Sequence, residues 1–371
     1  MMIFITIPWF TPAYRAGGPV QSILNLVSNF KAGVEFRIFC GNKDLNGEIL
    51  TGIETDQWTV FNDHTQVWYA SEEISKTITE QAEKLKPDVL FIIGLFSWHY
   101  NIVPLLFCKA PLKILSARGM LHAGALAQKR FKKQAFLTIL KLAGIGRKVV
   151  FHATNATELD FIKASFGDEA KVKIAQNYGR KVTAFDSPEK QPGMLKLITI
   201  AIISPMKNYL KVLEALAKSV EDTEYDIYGP VKDAAYWELC KEQIKSLPKN
   251  ITVRYHGETE PNTIDKLLSQ SHVFIMPSES ENFGHSIYEA LSAGKPVITG
   301  KTTPWNELLH AKAGINVSND AEEISNAIHL FARMDNEEYK SFSAGAKNYI
   351  EQHTNEKETD LQYRRLFQIS E

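Results

Sequence analysis

The chain is short of several features that would decide its class at once. Only three of its 371 residues are cysteine: Cys40, Cys108 and Cys240. They are far apart and form no C-x-x-C pair, which argues against a disulfide framework or a thiolate zinc site and for a reducing, cytoplasmic compartment. Neither sign of charge is in excess. With 42 basic against 43 acidic residues the net charge is −1, so the whole molecule has no pull on nucleic acid. No apolar run approaches the roughly 20 residues of a membrane-spanning helix. The apolar start, Met1 to Ile7, meets Pro8 with no basic segment before it, and reads as a first strand rather than a signal peptide. No Asp-x-Asp occurs, and no His, Asp and Glu cluster has metal-ligand spacing. Neither a metal nor another cofactor is expected.

What is present is an ordinary globular composition, 44% apolar and 23% charged, in a chain long enough for two domains. Ile3–Ile7 predicts a strand, and a Pro- and Gly-rich loop leads from it to a helical stripe at Val20, Ile23, Leu24 and Val27. Short apolar runs at 36–40, 67–69, 89–93, 114–116 and 149–152 alternate with helical stretches such as 71–86 and 155–164. Ser187 to Gly193, polar with two prolines, reads as a linker. The same alternation then restarts: strands at 196–203, 225–228, 251–255 and 273–276, helices at 208–220, 234–246 and 263–270. From Asp320 onward the chain is mostly helical. The fold expected is α/β: two Rossmann-like, doubly wound parallel-sheet domains facing across a cleft, at 1–186 and 195–354, with 187–194 between them.

Four loops at predicted strand ends carry candidate chemistry. Gly17-Gly18, between the first strand and helix, either brings backbone amides to an anion or makes a tight turn; it lacks the G-x-G-x-x-G spacing of dinucleotide folds. Ser116-Ala-Arg-Gly-Met-Leu-His122 places Arg118 where it can pair a phosphate bidentately, with His122 as a proton or hydroxyl partner. Ser204-Pro-Met-Lys-Asn208 sets Lys207 at a helix start, where a bound anion would relieve its conflict with the helix dipole. Val273–Met276 is followed by a polar loop, a helix and a strand resuming at Pro296. Glu281 lies in that loop and Glu289 in the helix. Ser286-x-x-Glu289 also matches a capping box, which would give Glu289 a purely structural role. Separately, 129–148 holds seven Lys and Arg with no acid among Phe131, Phe136, Leu137, Ile139 and Leu140. It is either a basic amphipathic helix for an anionic membrane surface or an exposed basic face.

The run Glu281-Asn-Phe-Gly-His-Ser-Ile-Tyr-Glu289, followed by Ala-Leu-Ser-Ala-Gly-Lys-Pro-Val, resembles the E-x7-E signature of family 4 retaining glycosyltransferases. The resemblance extends to the glycine loop, the Ser-Pro-Met-Lys-Asn turn and Ile227-Tyr-Gly-Pro230. Within the family it looks like the bacterial branch of surface-polysaccharide synthesis. It implies the GT-B fold, with a final helix, 355–371, crossing back to the first domain. It further implies that Glu281 contacts donor-sugar hydroxyls, Glu289 holds the ribose, and Lys207 neutralises the diphosphate. The backbone around Asn282, Phe283, Gly284, His285 and Ser286 would cradle that diphosphate, with Gly17 and Gly18 against donor phosphate or acceptor. Arg118 stands where many relatives carry a catalytic-site His, with His122 and Arg15 near the acceptor or sugar. Two departures are visible. Ala201 and Ile202 replace a frequent Gly-Arg whose Arg pairs the diphosphate, leaving Arg118 or Arg15 to supply that charge. Gln176-Asn-Tyr-Gly179 replaces a Pro-Asn-Gly turn.

The activity implied is metal-independent, retaining sugar transfer from a nucleotide-diphosphate sugar, more commonly UDP-linked, to a saccharide or lipid-linked saccharide hydroxyl. It would take place in the cytoplasm or at the inner face of the membrane. The competing readings are a GT-B nucleotide-sugar epimerase or hydrolase, and a non-catalytic nucleotide-sugar-binding protein.

Overall fold

The structure, a computed structural model, describes residues 1–31, 33–127, 130–180, 182–183 and 188–369. It divides into two compact units, Met1–Tyr178 with Glu356–Glu371, and Gly179–Asn355.

The first unit is built on strands β1 (Met2–Thr6), β2 (Glu35–Gly41), β3 (Trp58–Asn62), β4 (Thr65–Ala70), β5 (Val89–Ile93), β6 (Leu112–Ser116), β7 (Val150–Ala153) and β8 (Lys171–Ile174). Their order is β3-β4-β2-β1-β5-β6-β7-β8. Every pairing is parallel except that of β3 with β4. Ile3, Phe4 and Ile5 of β1 and all of β5 are buried. Such unbroken apolar runs mark strands covered on both faces. Strand β3 escaped the sequence reading because it is a half-exposed edge: its Val60 is 71% exposed. The final helix, Glu356–Phe367, buries Tyr363, Leu366 and Phe367 in this unit's core. Phe367 lies 5.8 Å from Phe30 and 5.5 Å from Phe91 between ring centres.

The 129–148 segment is not one helix. Lys129 lies outside the described residues, and the rest forms helices Arg130–Leu142 and Ile145–Lys148, parted at Gly144 with φ 69°. A left-handed residue ends a helix, and glycine adopts it without a Cβ penalty.

The second unit holds β9 (Met194–Ile200), β10 (Asp222–Tyr228), β11 (Ile251–Tyr255), β12 (Val273–Met276), β13 (Val297–Gly300) and β14 (Gly314–Val317). They run in the order β11-β10-β9-β12-β13-β14, all parallel. Apolar side chains fill both faces, Leu195 and Leu197 of β9 on one and Ile198 on the other. Of the expected linker, Ser187 lies outside the described residues, and Lys190 is anchored in this unit. Its buried ammonium donates to Ala332 O at 2.8 Å and Met334 O at 3.1 Å, at the end of helix Ala321–Arg333. A cation there satisfies terminal carbonyls and complements the helix dipole. Burial pushes the Lys190 pKa down to about 8.

In both units the chain winds one way from its first strand and then returns to that strand's other side. The switch point falls between β1 and β5 in the first unit and between β9 and β12 in the second. Loops at the carboxyl ends of such strand pairs diverge and leave a crevice for ligands.

Candidate functional site

The second unit's switch point gathers most of the expected residues. After β9, Pro205–Lys207 forms a short 3-10 turn that Asn208 ends in the left-handed conformation, φ 58°. Asn208 Nδ2 donates to Pro277 O at 2.8 Å and to Asn319 Oδ1 at 3.0 Å. Glu279 N and Ser278 Oγ both donate to Met206 O, at 2.9 and 3.1 Å. These bonds stitch the loop after β9 to the loop after β12. One consequence is that Lys207 Nζ forms an ion pair with Glu281 Oε1, the two side chains being only 14% and 11% exposed.

The loop after β12 ends at Gly284, which caps helix His285–Ser292 with φ 75°. A Cβ there would meet Ile287 Cδ1 at 3.1 Å, Trp305 Nε1 at 3.3 Å and Glu281 Cγ at 3.5 Å. The conformation and the close approach both call for glycine. Trp305 braces the loop from below: its Nε1 donates to Phe283 O at 2.6 Å, and its ring lies 5.5 Å from that of Phe283. The N-cap residue itself supplies no side-chain hydrogen bond to this helix. Ser286 sits inside its first turn and donates to Met276 Sδ at 3.9 Å, so the capping box suggested by Ser286-x-x-Glu289 does not form. The first-turn amides carry the partial positive charge of a helix start, and Gly284, having no side chain, brings no acceptor of its own to them.

Glu289, on the same helix, is 4% exposed. Arg180 Nε donates to it at 2.9 Å, and the other arm of Arg180 pairs with Asp265, whose second oxygen accepts Thr183 N at 2.8 Å. Burial raises the Glu289 pKa, with the Arg180 charge working against it. Burial also pushes Asp265 upward, but its bonds from Arg180 and Thr183 outweigh it and leave that carboxyl below its usual range. The sequence reading found neither Arg180 nor Asp265. The signal available for Arg180 was its place in the altered turn: Gly179 persists because a Cβ would lie 1.9 Å from Tyr288 Cζ. Gly229 of Ile227-Tyr-Gly-Pro230 has a similar cause, its Cβ position being 2.0 Å from Ala201 O.

The first unit's candidates are arranged differently. Gly17, φ 71°, caps helix Gly18–Asn29 without a side-chain bond and has open space around its Cβ position. Arg15 pairs with Glu48 and lies over the Tyr14 ring, 5.7 Å from its centre. Arg118 has φ 50° and turns inward. It is 9% exposed, its Nη1 donates to Asn177, and its remaining buried N–H groups lie beside the buried Tyr363 hydroxyl. As placed, the guanidinium offers no open face to a phosphate. Beneath it His152 is fully buried, 2.9 Å from Ser116 Oγ through Nδ1 and 2.8 Å from Ala175 O through Nε2. Burial first, then the Arg118 charge, pushes its pKa down to about 3. His122 is held edge-on to Phe161, 5.2 Å between ring centres, and its Nδ1 accepts Gly124 N at 3.2 Å. Among the described residues no His, Cys, Asp and Glu group of three or more could hold a metal ion.

The second unit is thus doubly wound, with a helix start, a lysine and carboxylates gathered at its switch point, the place where ligands bind in open parallel sheets. Residues 182–349 match the family described as Glycosyl transferases group 1. That match takes in nearly all of the second unit. The chain is 29% identical over 108 residues to 2-deoxystreptamine N-acetyl-D-glucosaminyltransferase of Niallia circulans, covering 29% of this chain and 27% of that relative. It thus matches about a quarter of that curated relative's length. Similar solved structures extend over the whole chain. Sucrose-phosphate synthase from Thermosynechococcus elongatus matches with TM-score 0.72 and 15% identity, over 100% of this chain and 99% of that one. The Anabaena protein HepE, solved with UDP and glucose, matches with TM-score 0.73 and 15% identity, over 99% of each chain. At such identity the likeness is one of fold, and the fold is GT-B.

Proposed function

We propose that this chain is a retaining glycosyltransferase that moves a sugar from a nucleotide-diphosphate sugar, a UDP-sugar, to an acceptor hydroxyl. The observation that carries the reading is the convergence of Lys207, Glu281 and the helix start after Gly284 at one switch point. Support also comes from HepE, which has been solved with UDP-glucose.

In this reading Lys207 leaves Glu281 for the diphosphate, and Glu281 is freed to accept hydrogen bonds from the donor sugar. Amides of His285 and Ser286 face the same phosphates, and Glu289 takes the ribose hydroxyls. As the bond from anomeric carbon to phosphate breaks, charge grows on the leaving diphosphate. Lys207 and the amides are already aimed at it, so they stabilise the transition state more than the ground state. The acceptor oxygen bonds to the anomeric carbon from the same face, and its proton passes to the departing phosphate. No step calls for a metal. The acceptor is a saccharide or lipid-linked saccharide in polysaccharide or glycan assembly, met in the cytoplasm or at the inner face of the membrane.

The test begins with melting temperature across a panel of nucleotide sugars, since a ligand of the native state raises it by mass action. A sugar that binds is then offered with acceptors, with and without chelator. Transfer with retained anomeric configuration is expected. Epimerised or free sugar in the absence of any acceptor would overturn the transferase reading.

A further inference from the structure

Helix Arg130–Leu142 carries apolar side chains on both of its faces. Toward the first unit it buries Leu137 and Leu140 and sets Phe136 against Phe96, 5.6 Å between ring centres. Lys133 folds inward as well, donating to Ala125 O at 2.6 Å and lying 5.2 Å above the Phe96 ring. Toward solvent, Phe131, Ile139 and Leu142 are 86%, 64% and 83% exposed. With the exposed Ala135 they fall at steps of four, four and three residues, which is a single stripe along a helix. Exposed Arg130, Lys132 and Lys141 border it. Arg147 and Lys148 follow on the next turn, where Arg147 pairs with exposed Glu169. No acidic residue occurs from 130 to 148. A surface helix of a globular protein normally turns charged and polar residues outward, so core packing does not account for this stripe.

We infer that this outward stripe is a docking surface for an anionic lipid membrane. The charge bordering it is positive, complementary to acidic headgroups, while a chain of net charge −1 has no general attraction for anions. An apolar stripe edged by Lys and Arg is the pattern of a helix lying in the plane of the interface, its apolar side chains in the acyl boundary and its cations at the phosphates. The inference is independent of the nucleotide-sugar reading and would place the first unit against the bilayer.

The test is co-sedimentation of the full chain with vesicles of phosphatidylcholine alone or mixed with phosphatidylglycerol, with no nucleotide sugar present. The chain should partition onto the anionic vesicles, more weakly at high salt, and bind the neutral ones poorly. Phe131→Ser/Ile139→Ser/Leu142→Ser should lower partitioning about tenfold or more. Lys132→Glu/Lys141→Glu should lower it at least about fivefold per cation removed. All five positions are exposed, so both variants should keep the wild-type circular dichroism and melting temperature. Equal binding to both vesicles, or unchanged binding by the triple serine variant, would overturn the inference. So would a wild-type dimer that ignores vesicles and becomes monomeric in that variant, since the stripe would then join two copies of the chain. None of these failures would touch the donor site, which is read by nucleotide-sugar binding.

Discussion

Arg180 offers the sharpest test of the site's electrostatics. Arg180→Met keeps most of the side-chain stem and removes the charge that faces Glu289 and Asp265. Glu289 is 4% exposed, so its carboxylate would be left buried with no counter-charge. Breaking a buried pair by deleting one partner costs about 3–5 kcal/mol. The Arg180 side chain is 20% exposed, which points to the low end, about 3 kcal/mol. For a unit of this size each kcal/mol moves the melting temperature by roughly 2–4 °C, a fall of about 6–12 °C. The sign with pH follows from Glu289, whose folded pKa is raised already and would rise further in the variant. A raised carboxyl favours the folded state below its unfolded pKa, and that contribution is lost as pH rises through the folded value. The variant's deficit should therefore be large at pH 8 and shrink as pH falls toward the carboxylate range. Arg180→Lys should recover only part of it, because an ammonium cannot bridge both acids as the guanidinium fork does. In Glu289→Gln the further loss of Arg180 should cost much less, and the difference measures the coupling. Calorimetry of the intact chain reads all of this. A variant melting within about 2 °C of wild type at pH 8, or a deficit that grows on acidification, would refute the reasoning.

Lys207→Ala should lower kcat by about 10²–10³-fold if it stabilises charge only as the diphosphate departs, and Glu281→Ala should lower turnover by at least tenfold; steady-state transfer kinetics with the true donor decide both. Gly229→Ala should leave little soluble, folded protein, because its Cβ would stand 2.0 Å from the Ala201 carbonyl oxygen; expression yield and circular dichroism report it. His152, held neutral with its pKa down near about 3, makes the folded state lose stability below its unfolded pKa, as pH falls from about 6.5, at up to about 1.4 kcal/mol per pH unit. His152→Gln should melt lower than wild type at pH 7 yet lose less between pH 7 and 5, and a parallel decline of the two would count against a buried neutral imidazole.

Much of the architecture was legible because its causes are local. Ile3–Ile5, Val89–Ile93 and Val273–Met276 are apolar without interruption, and only a strand covered on both faces uses such a run. Proline, glycine and polar clusters punctuated them, so the repeating alternation and the loops that follow each strand could be placed by number. Glu281, Gly284 and Lys207 stood out for the same reason, each lying just past a strand end. Edge strand β3 was not legible, since a half-exposed strand has no apolar signature, and the described part of the Pro-rich 187–194 stretch is anchored through buried Lys190 rather than left free.

Tertiary structure alone decided who meets whom. Lys207 and Glu281 are 74 residues apart, and Arg180 and Glu289 are 109 apart; strand order, which no local pattern encodes, brings each pair together. It also turned Arg118 into the interior, gave Glu289 an arginine instead of the Ser286 cap, and left Phe131, Ile139 and Leu142 facing water. Helix and strand periods state which residues share a face. Which face is covered, and which charge lies across from which, depends on elements that fold against it from far along the chain.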